Sequence, residues 1–185
     1  FKGKEFGQVL EELMLVDAAV VDIGASNVEA VLKRMDQYAG SHEDFDLFVI
    51  PVTPETKQVR DTINTVEALH ALGVGASRIR VVFNKVEEGE DVVAAFAPLF
   101  AYAAKTKACS LDHRAVIFQS ELYQMLASVE KSVGELANDN TDWKAELRQC
   151  TDTEERQRAA RMLSMKRLAG SAQRNLDEAF ALVVG

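Results

Sequence analysis

The chain has 185 residues, of which 48% are hydrophobic and 27% are charged, and this composition excludes an intrinsically disordered protein. It carries 21 Lys and Arg against 29 Asp and Glu, for a net charge of −8, which excludes a generally basic nucleic-acid coat. Cys109 and Cys150 are the only cysteines. They are too few for a disulfide scaffold and wrongly spaced for a zinc site, so a reducing, cytoplasmic location is expected.

Helical and strand-like patterns alternate along the first 118 residues. Apolar residues recur with helical spacing from Phe6 to Met14, and a first strand is predicted at Ala18–Asp22. A helical pattern over residues 28–35 leads to a nearly continuous apolar run at Phe45–Val52. Such a run is typical of a strand that is buried on both faces.

The helix with the clearest signals is predicted at Thr56–Leu72, where Gly73 ends it. Two further strands are predicted at Ile79–Phe83 and Ala115–Phe118. Because strand and helix alternate, residues 1–118 are predicted to form an α/β domain with a doubly wound, mostly parallel sheet.

Residues 119–185 are predicted to form a C-terminal helical region packed on that domain. There is no proline and no strand-like run from Leu122 to Val184. Three helices are expected, and the acidic start at Thr151–Glu155 predicts a last helix of roughly 28 residues. Helical spacing puts one apolar stripe on this helix, made by Met162, Met165, Ala169, Ala172, Leu176 and Phe180.

The same helix carries a basic segment. Between Arg156 and Arg174 there are six basic residues and no acidic residue, and Arg156, Arg167 and Arg174 are predicted to lie opposite the apolar stripe. One interpretation is an ordinary solvated helix face. The other is an anion-binding surface that contacts DNA non-specifically or contacts an acidic membrane.

Polar residues follow two of the predicted strands, at the carboxyl edge where doubly wound sheets bind ligands. Asp22 ends the first strand and either caps the next helix or holds magnesium through its water shell, while Gly24 lets the backbone approach a phosphate. Asn84 and Lys85 end the third strand. An amide there can pair with a purine edge while the lysine stem lies along the ring, although Asn-Lys is also common in turns.

Several segments in this order resemble the ParA/MinD group of deviant-Walker P-loop ATPases, and within it the StbB-type plasmid stability proteins. The segments are VVDIGASNVEAVL, FDLFVIPVTPETKQVRDTINTVEALHALGV, RIRVVFNKVE, AVIFQSELYQML and SAQRNLDEAF. The resemblance implies a P-loop NTPase-like fold and a nucleotide-dependent role in plasmid stability, partition and conjugative transfer. It also implies an ATP-driven switch between monomer and homodimer, with a plasmid-encoded DNA-binding protein as partner.

The resemblance further implies roles for single residues and a location. Asp22 would be catalytic and hold Mg²⁺, Gly24 would sit near the γ-phosphate of ATP, and Asn84 with Lys85 would face the base. Glu87 stands where GTP-binding proteins carry Asp in Asn-Lys-x-Asp, so the choice between ATP and GTP stays open. The expected location is the cytoplasm, in association with nucleoid or membrane if the basic helix face contacts either.

One motif of the group is missing from the sequence. No glycine-rich turn followed by Lys-Ser/Thr occurs in the 185 residues, and this P-loop supplies the phosphate contacts. The resemblance places the P-loop and its strand ahead of Phe1, so the chain as given is expected not to hydrolyse ATP. The alternative is a non-catalytic α/β binding or scaffold module that recruits a DNA-binding partner.

Overall fold

The structure, a computed structural model, describes residues 6–185 and consists of nine α-helices and three β-strands within that range. The strands are β1 (Phe48–Val52), β2 (Ile79–Val86) and β3 (Val116–Phe118). The helices are α1 (Phe6–Leu13), α2 (Val28–Gln37), α3 (Thr56–Ala71), α4 (Val92–Ala95), α5 (Ala97–Thr106), α6 (Leu122–Met125), α7 (Val133–Ala137), α8 (Trp143–Gln149) and α9 (Thr153–Val184).

The chain divides into two compact units, and the division passes through β2. The first unit runs to Val82 and resumes over Asp91–His113, and the second comprises Phe83–Glu90 and Arg114–Gly185. The first unit contains two apolar clusters, one between α1 and α2 and one that includes α3 and the start of β2. The core of the second unit is built from Leu122, Leu136, Met162, Met165, Ala169 and Ala172.

The three strands form one sheet in the order β1-β2-β3. This confirms the prediction of an α/β protein, and each of the three strands overlaps a predicted strand. Strands β2 and β3 pair in parallel, with Phe83 opposite Val116 and Asn84 opposite Ile117. The register then shifts, because Val86 lies opposite Phe118 and Lys85 is an extra residue in β2. This β-bulge stands at the carboxyl end of the strand.

The prediction of a strand at Ala18–Asp22 is wrong. Within residues 6–185 the structure assigns this segment neither strand nor helix, and the side chain of Val20 is 97% exposed. A strand exists through hydrogen bonds to a neighbouring strand, and no pairing is described for this segment. The apolar run by itself therefore does not make a strand, and Asp22 does not end one.

The prediction of a helical C-terminal region without strands is confirmed, and its last helix is longer than expected. α9 has 32 residues, and the Asp152 side chain caps it by accepting hydrogen bonds from the N–H groups of Glu154 and Glu155. Four α-helices, rather than three, follow β3, because the segment before Asp142 contains both α6 and α7.

The predicted stripe on α9 is right over its first part and wrong at Phe180, whose side chain is 65% exposed. Ala179 and Val183 are buried instead. From Met162 to Ala172 the buried positions advance by three, four and three residues, and after the half-buried Leu176 they continue at Ala179 and Val183, an average period of 3.5 rather than 3.6. An ideal straight helix drifts by about 20° in each heptad relative to such a repeat. The buried residues of α9 are Ala159, Met162, Met165, Ala169, Ala172, Ala179 and Val183.

Candidate functional site

The carboxyl end of β2 has an irregular backbone that exposes Lys85. Its φ of +57° lies in the left-handed region, which costs a non-glycine residue about 1–2 kcal/mol. The Asn84 Oδ1 atom accepts a hydrogen bond of 2.9 Å from the Lys85 N–H and holds this conformation. Bulges of this kind turn a side chain away from the regular pleat, and here Lys85 is exposed while Asn84 is half-buried.

The turn after β2 is closed by its own acidic residues. The Glu87 N–H donates to Glu90 Oε2 at 3.1 Å, and the Glu90 N–H donates to the Glu87 carbonyl at 3.1 Å. Gly89 between them has a φ of +86°, a conformation that favours glycine. The turn places the side chains of Glu87 and Glu88 along a cavity in the second unit.

The other wall of this cavity comes from the segment that follows β3. The Gln119 N–H donates to the Val86 carbonyl at 2.9 Å and continues the parallel pairing by one residue. The Ser120 Oγ atom then accepts from the Leu122 N–H at 3.2 Å, where α6 begins. The resulting edge cavity measures about 360 Å³ and is lined by Glu87, Glu88, Gln119, Ser120, Glu121 and Gln124.

The outer edge of β3 is covered by a side chain of α9. The Asn175 Oδ1 atom accepts from the Phe118 N–H at 2.9 Å, and Asn175 Nδ2 donates to the Val116 carbonyl at 2.8 Å. One amide thus makes both hydrogen bonds that a neighbouring strand would make there. Because Phe118 directly precedes Gln119, the same contact holds the beginning of the cavity wall.

The chemistry of the edge cavity suits a polar ligand that presents hydrogen-bond donors and acceptors. The amides of Gln119 and Gln124 supply both donors and acceptors, and the three carboxylates supply acceptors only. Ribose hydroxyls and a neutral base match this lining. A phosphate group beside three carboxylates would be repelled, so the edge cavity suits a neutral polar ligand rather than an anion.

The predicted site residues are divided between the two units: Asp22 and Gly24 belong to the first, and Asn84, Lys85 and Glu87 to the second. The second group comes together at the carboxyl end of β2. Asp22 is exposed in an irregular segment, and Gly24 has φ −57° and ψ 140°, a conformation that any residue adopts. The backbone at Gly24 therefore does not require glycine.

The described residues do not by themselves form a magnesium site. Over residues 6–185 no group of three or more His, Cys, Asp or Glu side chains could hold a metal ion. Magnesium in nucleotide sites needs only one or two carboxylates together with the phosphates, but Asp22 is exposed and ends no strand. The local structure thus gives it no preorganised position for this role.

Five residues of the edge cavity had no predicted role. Glu88 lies in the turn after β2, and the other four, Gln119, Ser120, Glu121 and Gln124, follow the weakest of the predicted strands. The signal that could have found them is their position, since ligands of parallel sheets bind beyond the carboxyl ends of the strands. The polar run from Gln119 to Glu121 comes directly after the last strand residue.

The basic residues of α9 have different environments. The Lys166 ammonium group donates to the Thr141 carbonyl at 3.0 Å and anchors the loop before α8, and Arg174 donates to Ser171 Oγ at 3.2 Å. Arg156 and Arg167 are exposed, as is Arg174. In the part of the chain that the structure describes, no carboxylate pairs with these three arginines, so α9 presents uncompensated positive charge opposite its buried stripe.

Comparison with known proteins identifies no relative of this chain. No family model, no curated protein and no solved structure matches it. Among residues 6–185, no helix has the length and apolar content that crossing a bilayer requires.

Proposed function

We propose that this protein is a nucleotide-binding plasmid stability and conjugative-transfer protein of the StbB type, and that the edge cavity receives the nucleoside. The observation that carries the proposal is the polar cavity at the carboxyl ends of two parallel strands, where Glu87 follows β2 and Gln119 follows β3. Open α/β sheets bind ligands at this edge.

Asn84 and Lys85 are not among the residues that line the edge cavity, and the sequence resemblance is what assigns Asn84 to the base. The Oδ1 atom of Asn84 is already engaged by the Lys85 N–H, so its Nδ2 group donates to a ring nitrogen or carbonyl of the purine. The exposed Lys85 lays its aliphatic stem along the ring and keeps its charge in water. Glu87 and Glu121 accept hydrogen bonds from hydroxyl groups of the ribose.

The wider role rests on the sequence resemblance. It supplies ATP as the nucleotide, a P-loop NTPase-like fold, a homodimer as the nucleotide-dependent state, and a plasmid-encoded DNA-binding protein as partner. Magnesium, when bound together with the nucleotide, would neutralise the charge of the phosphates. Because Asp22 is exposed and belongs to no metal-binding group among the described residues, no hydrolytic step is assigned to residues of this chain.

The proposal is tested by equilibrium binding of ATP and GTP to the wild-type chain and to the Asn84→Asp variant. The aspartate keeps an acceptor for the Lys85 N–H and removes the donor to the base, so affinity is expected to fall about tenfold. Asn64→Asp is the matched control, since Asn64 is exposed on α3 and the variant adds the same charge. Equal affinities for the wild type and Asn84→Asp would contradict the assignment of Asn84.

The second candidate function is a non-catalytic scaffold module that recruits a DNA-binding partner. The observation that favours it is the exposed positive charge of Arg156, Arg167 and Arg174 on α9, which suits a polyanion or an acidic protein surface. The same titrations distinguish the two functions. A wild-type chain that binds neither ATP nor GTP while its circular dichroism is that of a folded protein supports the scaffold module.

A further inference from the structure

The side of α9 that faces away from its core carries a second regular stripe. Its positions follow alternating steps of three and four residues, which is the spacing of the a and d positions of a coiled coil. All of these residues are exposed or half-exposed, and together they cover about 36 Å of helix. We call them the outer stripe, which consists of Ala160, Leu163, Arg167, Gly170, Arg174, Asp177, Ala181 and Val184.

The packing of α9 within the second unit fixes the direction in which the outer stripe points. The buried stripe of α9 packs with α6, α7, α8 and β3, and Met165 and Ala169 are completely inaccessible to solvent. A helix held in this way cannot rotate about its axis without breaking its core. The outer stripe is therefore a fixed surface that faces solvent.

Two opposite charges of the outer stripe lack a charged partner. Arg167 is exposed, and among residues 6–185 no hydrogen bond or ion pair is described for it. The Asp177 Oδ1 atom accepts from Gln173 Nε2 at 2.7 Å, and no cation is described beside this carboxylate in the same part of the chain. Arg167 and Asp177 lie about 15 Å apart along the helix axis, so they cannot pair with each other within one copy.

Gly170 lies between these two charges, and its described neighbours do not require glycine. Glycine is, after proline, the least favourable residue inside a helix. A Cβ atom at this position would meet only Arg174 Nη1, at 4.0 Å, which is an ordinary contact. The missing side chain leaves space on the surface of α9 that a side chain of another helix can fill.

We propose that two copies of this chain pair antiparallel along their outer stripes. A two-fold axis at about residue 172 sets each a position of one copy against a d position of the other. The resulting layers, each formed twice, are Ala160 with Val184, Leu163 with Ala181, Arg167 with Asp177, and Gly170 with Arg174.

Charge complementarity is what identifies the second copy as the occupant of this surface. The layers at the ends are apolar, and Val184, which is 49% exposed in one copy, becomes covered. The central layers contain two ion pairs between Arg167 and Asp177, and the Arg174 stem passes over Gly170 of the other copy. A parallel pairing in register would instead place each charge against itself, so the charges specify the antiparallel orientation.

This dimer is distinct from the nucleotide-dependent homodimer of the proposed function. No residue of the outer stripe lines the edge cavity, and the pairing needs no nucleotide. It also gives a protein partner to Arg167 and Arg174, which would otherwise suit a polyanion.

The experiment is sedimentation equilibrium in buffer without nucleotide. Arg167→Asp and Asp177→Arg each place like charges in both central ion-pair layers, and each should raise the dimer Kd at least about tenfold. A 1:1 mixture of the two variants should recover the wild-type affinity, because their heterodimer again has opposite charges in both layers. Arg156→Asp is the matched control, since it reverses an exposed arginine of α9 outside the outer stripe, and it should leave the Kd unchanged.

Each other outcome overturns the proposal, provided that circular dichroism shows every variant to be folded. A wild-type chain that is monomeric at about 0.1 mM forms no such dimer, and this result leaves the proposed nucleotide binding standing. Single variants that dimerise like the wild type, or a mixture that does not recover, exclude the contact between Arg167 and Asp177. An equal loss in Arg156→Asp shows a general charge effect, and a monomer that binds an oligonucleotide through Arg167 makes the outer stripe a polyanion-binding surface instead.

Discussion

Two short apolar segments of the chain, Ala18–Asp22 and Val116–Phe118, have similar residues and different conformations. Val116–Phe118 is the strand β3, with β2 hydrogen-bonded along one edge and the Asn175 amide along the other. Ala18–Asp22 has no regular secondary structure and is mostly exposed, and no backbone pairing is described for it. The difference teaches that a short apolar run becomes a strand when both its backbone and its side chains find partners.

The largest expected effect comes from placing a charge in β3. Val116 is 6% exposed, so Val116→Asp buries a carboxylate without a partner and should destabilise the protein by at least about 4 kcal/mol. Val20→Asp makes the same change in the unpaired segment, where the side chain is 97% exposed, and should cost less than about 0.5 kcal/mol. Urea unfolding followed by circular dichroism measures both. Similar losses in the two variants would refute the contrast between the segments.

A smaller effect is expected from removing the cover of the β3 edge. Asn175→Ala leaves the Phe118 N–H and the Val116 carbonyl without their described partner, and the loss should be about 1–3 kcal/mol because each unmade hydrogen bond retains a desolvation cost. Trp143 is the only tryptophan and lies in the second unit, so its fluorescence during urea unfolding reports this loss.

The matched control for Asn175→Ala is Asn140→Ala. Asn140 is exposed in the same unit, with no hydrogen bond described for its side chain, and this substitution should change the free energy of unfolding by less than about 0.5 kcal/mol. If Asn175→Ala were as stable as Asn140→Ala, the amide would not be what holds the β3 edge.

The smallest of the three effects concerns the loop before α8, which Lys166 of α9 anchors. Asp139 accepts from the Thr141 N–H at 2.9 Å and from Trp143 Nε1 at 3.0 Å, and its carboxylate lies 3.5 Å from the Lys131 ammonium group. The hydrogen bonds from Thr141 are the largest cause that holds the pKa of Asp139 well below its ordinary value. The hydrogen bond from Trp143 and the charge of Lys131 lower this pKa further. Asp139→Ala should cost about 1–2 kcal/mol at neutral pH.

The pH dependence of this cost follows from the direction of the pKa shift. A carboxylate with a lowered pKa in the folded state stabilises the protein fully above its ordinary pKa, and this contribution declines as pH falls toward the folded-state value. The difference in unfolding free energy between wild type and Asp139→Ala should be constant above about pH 5 and shrink below about pH 4. A difference that grows on acidification would contradict the assigned cause.

The sequence predicted the part of the candidate site that follows β2 and missed the part that follows β3. Asn84 and Lys85 follow the mostly apolar run Ile79–Phe83, which correctly predicted a strand there, although β2 continues to Val86. Gln119 and Ser120 follow a three-residue strand. So short an apolar run predicts a strand only weakly, and it therefore gives little reason to expect a site in the residues that follow. The bulge at Lys85 was not predictable, because it depends on the register of β2 against β3 rather than on either strand alone.

By itself, the sequence determined the elements whose signals are local. The helix α3 ends one residue before the predicted Leu72, α9 begins where the acidic cap predicted, and α/β alternation with a helical last third follows from hydrophobic periodicity. The tertiary structure decided which apolar runs are strands, which residues of α9 are buried, and which side chains share a cavity. These features depend on contacts between segments distant in the chain, such as the 57 residues that separate Phe118 from Asn175, and no local pattern records such contacts.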